Sequence, residues 1–367
     1  MNAVIHPLPH RPTRATTVAL AAALLACAAG PALADPGTYT VQLIERTRTV
    51  KVYATALSDH GVAGYVTPKN AHAFKPACVV IQQRSWTAFR SPGAGPCEVQ
   101  AINDGLDTVG DAWSAPGQQP QAFLQAWGLP IALPLASYGF YRSTARGINA
   151  SRTIVGTYSP TQGTDTPYAY HDGTLTPLPT LGFVTGATTS NAAVAINDAG
   201  TIAGTVQAGD DPTVSRAATW TDGTLTLLPG LRAGDTAHAV AIASNGLVAG
   251  DSAVHGGQPH AVRWSGGVAT DLGDMGNPNH LSVAYGVNAS GDVVGYSPNA
   301  NLDGNGAFLY TQGHMVALRD RVSGLPNGYT IQQGLAITDA GVILATGWRR
   351  DGEQVFMLLL PVAAARP

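Results

Sequence analysis

Five aromatic residues stand one to three positions beyond a recurring small residue: Tyr65, Trp113, Tyr158, Tyr296 and Trp348. Flat rings spaced in this way could stack on the apolar faces of sugars, or fill the seams between packed sheets, since aromatic side chains bury large areas in either setting. A second pattern is Asn299-Ala300-Asn301-Leu302-Asp303-Gly304-Asn305-Gly306, which sets Asn299, Asn301, Asp303 and Asn305 at alternate positions with glycine at the bend. That is the ligand spacing of a calcium loop. Its first ligand is Asn rather than Asp and its twelfth position is Tyr310 rather than Glu, so charge for Ca2+ is scarce and a plain polar loop accounts for the same residues. His255 and His260 flank a short Gly-Gly-Gln-Pro stretch as a metal pair would, but no third ligand is close in sequence. Asp210-Asp211 reads as a solvated loop tip.

Signatures of catalysis are absent. There is no Gly-x-Ser-x-Gly elbow, no His-Glu-x-x-His and no phosphate-binding glycine loop. The three glutamates, Glu45, Glu98 and Glu353, form no acid–base pair in sequence, although carboxylates from different strands can converge without leaving such a trace. No cofactor is implied beyond the weak calcium pattern.

Composition narrows the partners. Only 12% of the 367 residues are charged and the formal net charge is −3. No basic stripe is available to follow a phosphate backbone, which argues against nucleic acid. Arg11 and Arg14 precede an apolar run over 18–29, and Ala32-Leu33-Ala34 follows as a small-x-small cleavage site. This is the layout of a secretory signal peptide over residues 1–34, with the folded part at 35–367 and a secreted or periplasmic destination. Leu24-Leu25-Ala26-Cys27 supports the alternative of a lipoprotein anchored through Cys27. No later segment is apolar over a length that spans a membrane. Cys78 and Cys97 are the cysteines beyond the leader, and an oxidising compartment pairs them as a disulfide.

The elements that must position these residues are repeats. Taking Asn197 as a ruler, equivalent positions are Ser58, Asn103, Asn149, Asn197, Ala243, Asn288 and Thr338, separated by 45 to 50 residues. A glycine keeps step at Gly64, Gly110, Gly156, Gly204, Gly250 and Gly295, with Ala345 in the last copy. Each unit reads as a short apolar strand, a tight Asn/Asp/Gly turn and a second strand ending near glycine. A variable loop, a third strand, a glycine-ended turn and a fourth strand complete it. The third strand is expected at His72-Ala73-Phe74, Ala122-Phe123-Leu124, Ala169-Tyr170-His171, Ala218-Thr219-Trp220, His260 to Trp264, Ala307 to Tyr310 and Val355 to Leu358.

Four strands per unit of this length predict an all-β, seven-bladed β-propeller of antiparallel blades. The last unit lacks a fourth strand, and Tyr39 to Glu45 is left unassigned at the other end. This N-terminal strand is expected to close the last blade against residues 355–360 and so remove exposed edges. The segments Gly286 to Ser297 and Gly147 to Ser151 resemble the bacterial extracellular HAF repeat family, whose His-Ala-Phe stands here as His72-Ala73-Phe74 and, altered, as His260-Ala261-Val262. The resemblance implies an exported, propeller-like repeat protein. The sixth and seventh units depart from it, with Gly306-Ala307-Phe308 and Gln354-Val355-Phe356.

In such a fold the variable loops share one face and the tight turns the other, and binding residues gather on variable loops carried by a rigid scaffold. The expected function is therefore a monomeric binding or interaction module whose long-loop face engages a glycan or an extracellular or envelope protein. The alternative is a polysaccharide-acting hydrolase or lyase with its site at the channel mouth.

Overall fold

The computed structural model describes residues 38–362, except 45–49, 69–76, 83–84, 93–94, 116, 127–128, 136–138, 162–163, 183–188, 208, 210, 212, 255–257 and 302. The leader with Cys27, Glu45, His72-Ala73-Phe74, Asp210 and His255 lie outside the described residues.

After β1 (Tyr39–Leu43), the first blade is β2 (Val50–Leu57), β3 (Val62–Pro68), β4 (Ala77–Gln82) and β5 (Ser85–Phe89). The second is β6 (Cys97–Ile102), β7 (Thr108–Ala112), β8 (Gln121–Ala126) and β9 (Leu129–Ala132). The third is β10 (Arg142–Ile148), β11 (Ile154–Ser159), β12 (Thr164–His171) and β13 (Thr174–Pro177), with β14 (Thr189–Ser190) parallel to β12. The fourth is β15 (Ala192–Ile196), β16 (Ile202–Gln207), β17 (Ser215–Thr221) and β18 (Thr224–Leu227). The fifth is β19 (Ala237–Ile242), β20 (Val248–Ala253), β21 (Pro259–Ser265) and β22 (Val268–Asp271). The sixth is β23 (Val283–Val287), β24 (Val293–Tyr296), β25 (Ala307–Thr311) and β26 (His314–Ala317), and β27 (Val322–Ser323) follows. The seventh is β28 (Gln333–Ile337), β29 (Ile343–Trp348) and β30 (Gln354–Pro361).

The seventh sheet runs β28-β29-β30-β1-β27, so the N-terminal strand supplies the missing fourth strand. Tyr39 pairs with Pro361 and Leu43 with Met357, and Ile44 N–H extends the ladder to Phe356 O at 2.9 Å. In the first blade the third strand is Ala77–Gln82, later than expected from His72-Ala73-Phe74. The alternating Cys78 and Val80 supply the apolar face that this blade turns toward the second.

Local chemistry explains the hairpins. Asp172-Gly173, Asp222-Gly223, Gly266-Gly267 and Gln312-Gly313 all have positive φ at both central residues, the turn whose twist matches that of paired strands. In the first turn of the fourth blade, Asn197 Oδ1 accepts the Thr201 N–H at 3.0 Å, and its Nδ2 donates at 3.1 Å to Ala243 O of the next blade.

Every first hairpin carries a bulge at the same place, such as Ala193/Ala195 and Ala239/Ala241. The extra residue increases the local twist. The pair just before the bulge always contains a glycine: Ala54–Gly64, Val99–Gly110, Ala145–Gly156, Ala193–Gly204, Ala239–Gly250, Ala284–Gly295 and, swapped to the first strand, Gly334–Ala345. A Cβ on Gly204 would lie 2.0 Å from Ala192 O, and the other five second-strand glycines are as tight. In the last unit the first-strand Gly334 instead faces the sixth blade, where an added Cβ would lie 2.9 Å from Val294 Cβ.

The core lies in the seams between blades. Ala203 and Ala217 of the fourth blade pack with Ala237, Ala239 and Trp264 of the fifth. Trp264 Nε1–H donates to Pro229 O at 2.7 Å, and Trp220 Nε1–H to Pro179 O at 2.8 Å, so each tryptophan grips the end of the preceding blade. Cys78 and Cys97, both fully buried, form a disulfide that joins the third strand of the first blade to the first strand of the second.

Two stability predictions follow from this frame. Gly204→Ala is expected to cost more than about 3 kcal/mol, because backbone must move, whereas Gly200→Ala costs about 1–2 kcal/mol through its left-handed φ of 83° alone. Equal shifts of the two urea midpoints would contradict the close approach. Replacing both Cys78 and Cys97 by Ala is expected to lower unfolding free energy by about 3 kcal/mol, the loop-closure value for their separation, as read from the same titrations.

Candidate functional site

Each first strand (β2, β6, β10, β15, β19, β23 and β28) touches the first strands on both sides, so seven strands wall a central channel. One register step beyond the glycine pair, toward the long-loop face, every blade presents one cross-strand pair. These are Tyr53–Tyr65, Glu98–Asp111, Thr144–Thr157, Ala192–Thr205, His238–Asp251, Val283–Tyr296 and Gln333–Thr346. Partners of such a pair share one face of the sheet. The scaffold thus repeats a position seven times and changes its chemistry at each.

The second and third blades make the most strongly perturbed part of this ring. Asp111 is 4% exposed; its carboxylate accepts the Ala145 N–H at 3.3 Å and the Gln100 amide at 3.4 Å, and lies 4.0 Å from Arg146. Burial pushes its carboxyl up to about 6; the Glu98 carboxylate adds to the rise, while Arg146 and the Ala145 and Gln100 hydrogen bonds oppose it. Placing two carboxylates directly opposite one another is unfavourable for a sheet, so this pair is not explained by stability.

Across the ring, His238 Nδ1 lies 3.0 Å from Asp251 Oδ2, and that hydrogen bond raises the imidazole against the opposing effect of burial. Tyr285, on the neighbouring first strand, is raised by burial and by the Asp251 charge. Tyr53 and Tyr65 stack with centroids 4.8 Å apart and planes 11° apart, and Phe356 meets Tyr53 edge-on. Burial and the charge of Glu98 push the Tyr65 hydroxyl up to about 12. Beside Tyr53, a cavity of about 240 Å3 opens at the seam of the seventh and first blades, lined by Leu43, Lys51, Tyr53, Phe356, Arg349 and Glu353.

Strand alternation divides the five aromatics expected to act together. Tyr65 and Tyr296 stand one residue past the glycine position and belong to the ring. Tyr158 is two residues past, on the opposite face, where it is buried and stacked on Phe140 at 3.9 Å. Trp113 and Trp348 are three past, nearer the loops; Trp113 is half-buried, and Trp348 Nε1–H donates to Gln332 Oε1 at 2.7 Å. In the calcium-like stretch, Asn299 Nδ2 donates to Asp303 Oδ1 at 2.8 Å, which also accepts the Asn305 N–H, and Asn305 Oδ1 accepts the Ile331 N–H. Asn301 is exposed beside them. Among the described residues, no three His, Cys, Asp or Glu side chains are arranged to hold a metal ion as they stand.

Glu98, Gln100, Asp111, Arg146, His238 and Asp251 carry no motif. For Asp111 and Asp251 the signal is comparative: the residue after each repeat glycine is Tyr, Asp, Thr, Thr, Asp and Tyr in turn, whereas the residue before it is always Ala or Val.

No protein-family model matches the chain, and no curated protein matches it in sequence. Solved structures do. The β-propeller domain of the Trilobed protease from Pyrococcus furiosus aligns over 87% of this chain and 100% of its own, with 8% identity and a TM-score of 0.53. A Mycobacterium tuberculosis puromycin-hydrolyzing peptidase aligns over 84% of this chain and 50% of its own (12% identity, TM-score 0.55). A Pyrococcus horikoshii acylaminoacyl peptidase aligns over 86% and 53% (10% identity, TM-score 0.50). What is shared is the β-propeller fold. The chain spans about half the length of the two peptidases.

The buried carboxyl generates a pH prediction. Because Asp111 is raised in the folded state, its contribution to stability is fully present below the unfolded carboxylate value near 4 and is lost as pH rises through about 6. Asp111→Asn removes that loss. It is expected to raise unfolding free energy at pH 8 by on the order of 2–3 kcal/mol and to change little at pH 4, as measured by denaturant unfolding at both values.

Proposed function

We propose that this chain is an exported binding module that takes a glycan from the long-loop face into the mouth of its channel. The observation that carries the reading is the ring of seven cross-strand pairs, in which the Glu98 charge reaches stacked Tyr53 and Tyr65 and its partner Asp111 is met by Gln100 and Arg146. Aromatic faces take the apolar side of a sugar, and carboxylate, amide and guanidinium groups take its hydroxyls. Export rests on the leader pattern of residues 1–34 and on a buried disulfide that persists in oxidising compartments. The HAF-type repeats fit the same reading of an exported propeller. An envelope or extracellular protein is the other partner class for this face.

A second reading is favoured by one observation: Glu98 opposite Asp111, with the latter titrating near 6, is a carboxyl pair suited to acid–base work on a polysaccharide. Binding stands first because the Asp111 oxygens are buried and committed to Ala145, Gln100 and Arg146.

Thermal unfolding of the purified protein against a panel of bacterial and plant polysaccharides tests both. A binding glycan is expected to add about 2.7 kcal/mol of stability at a hundredfold excess over Kd. Gln100→Ala and Arg146→Ala should reduce that gain without lowering unliganded stability by more than about 1 kcal/mol. Release of new sugar ends, abolished by Asp111→Asn, would move the assignment to the enzyme. No gain with any polysaccharide would overturn the glycan reading.

A further inference from the structure

The cavity at the seam of the seventh and first blades lies between two members of the channel ring. On the first blade it is bounded by Tyr53, which stacks on Tyr65 with centroids 4.8 Å apart and is met edge-on by Phe356. On the seventh blade it is bounded by Gln354, whose Nε2–H donates at 3.2 Å to Oγ1 of Thr346, a member of that blade's ring pair. The 349–353 connection between β29 and β30 supplies its outer wall, which places the cavity on the long-loop face. Its volume of about 240 Å3 holds about eight waters, the space of one sugar ring rather than of a whole chain.

Three features suit this cavity to a saccharide. Its outer wall is fixed: Arg349 donates from Nε and Nη2 to the Asp351 carboxylate and from Nη2 to Glu353 Oε2 at 2.6 Å, so the guanidinium is held as part of the frame. Lys51 is the reverse. It lines the cavity two residues before Tyr53 on β2, hence on the same face of the strand, and its ammonium has no hydrogen-bond or ion-pair partner among the described residues. A lining donor without a protein acceptor is available to a ligand's oxygens. The third feature is a further aromatic. Trp348 pairs with Gln354, so it shares the sheet face that carries Gln354 and Phe356, and it is 39% exposed. Aromatic side chains therefore succeed one another from the channel ring at Tyr65 and Tyr53, through the cavity wall at Phe356, to the exposed end of the seventh blade at Trp348.

We propose that this cavity is a second saccharide subsite, which holds one pyranose unit between Tyr53 and Gln354 with Lys51 donating to its oxygens. The ligand is then an extended glycan chain that runs outward from the channel mouth over the seam of the seventh and first blades toward Trp348. This rests on the glycan reading above and names the kind of glycan, an oligomeric or polymeric chain rather than a lone terminal sugar.

The test is isothermal titration of the purified protein with ladders of one to six units drawn from the polysaccharide panel, cello-, xylo- and chito-oligosaccharides among them. In a ladder that binds, the hexasaccharide is expected to bind at least about tenfold tighter than the disaccharide, because joined units fill adjacent subsites. Lys51→Ala and Trp348→Ala should each lower hexasaccharide affinity several-fold and flatten the dependence on length, and Lys51→Ala, at an exposed position, should do so with an unchanged apo melting temperature. Gln100→Ala, in the ring, should weaken every length instead. Disaccharide binding as tight as hexasaccharide binding, or hexasaccharide binding untouched by Lys51→Ala and Trp348→Ala, overturns the second subsite and leaves the glycan reading standing. Absence of binding by every ladder overturns the subsite together with the reading it rests on.

Discussion

The structure depends on one side chain repeated around its base. In four of the seven tight turns a buried Asn uses its oxygen to close its own turn and its amide to reach the equivalent carbonyl in the next blade. Asn103 donates to Asn149 O at 3.0 Å, Asn149 to Asn197 O at 3.2 Å, Asn197 to Ala243 O at 3.1 Å and Asn288 to Thr338 O at 3.4 Å. Asn fits because it is an acceptor and a donor on one short stem; Asp would keep the turn and lose the bond across the seam. The residue after it adds a second link, as Asp104, Asp198 and Asp339 accept N–H groups from the preceding blade. Where the fifth turn carries Ala243, the link moves to Asn245, which donates to Ala289 O at 2.8 Å. Blade spacing is therefore set at the tight-turn end by hydrogen bonds of nearly constant length, and even the fifth and seventh turns meet, through Ser244 and Asp339 at 2.6 Å.

With spacing fixed there, the channel wall above needs little further specification. The glycine pair lets first and second strands approach, the bulge sets their twist, and the next pair outward carries no structural duty common to all blades. That freedom is visible in what occupies it. A sheet optimised only for stability would not set Glu98 opposite Asp111 or bury Asp111 with a raised carboxyl. Local rules hold elsewhere in the hairpins, and they are broken at the ring.

The parts legible in the sequence were those encoded by neighbours along the chain. Turns such as Thr221-Asp222-Gly223 announce a reversal by their own φ requirements, and the period follows from counting between them. Closure by Tyr39–Leu43 was legible because one unit lacked a strand and one strand lacked a unit. The disulfide was legible by elimination. The site was not, because it depends on cross-strand register, which the bulge shifts by one residue in every blade and no motif records. The aromatics illustrate the limit: Tyr65 and Tyr158 look equivalent at one and two residues past glycine, and the pleat sends them to opposite faces.

The ring is also not symmetric, and this bears on what can fill it. Acid, amide and guanidinium groups cluster on the second and third blades, stacked aromatics on the first, an imidazole–carboxylate pair on the fifth, and only Ala192 and Thr205 on the fourth. A ligand bound along the axis of a uniform ring would gain the same contacts in seven rotated poses. Here each rotation exchanges an aromatic face for a charged pair or for a small side chain. A glycan bound as proposed would therefore be confined to a few poses and held in a defined orientation, even though the frame around it is nearly sevenfold.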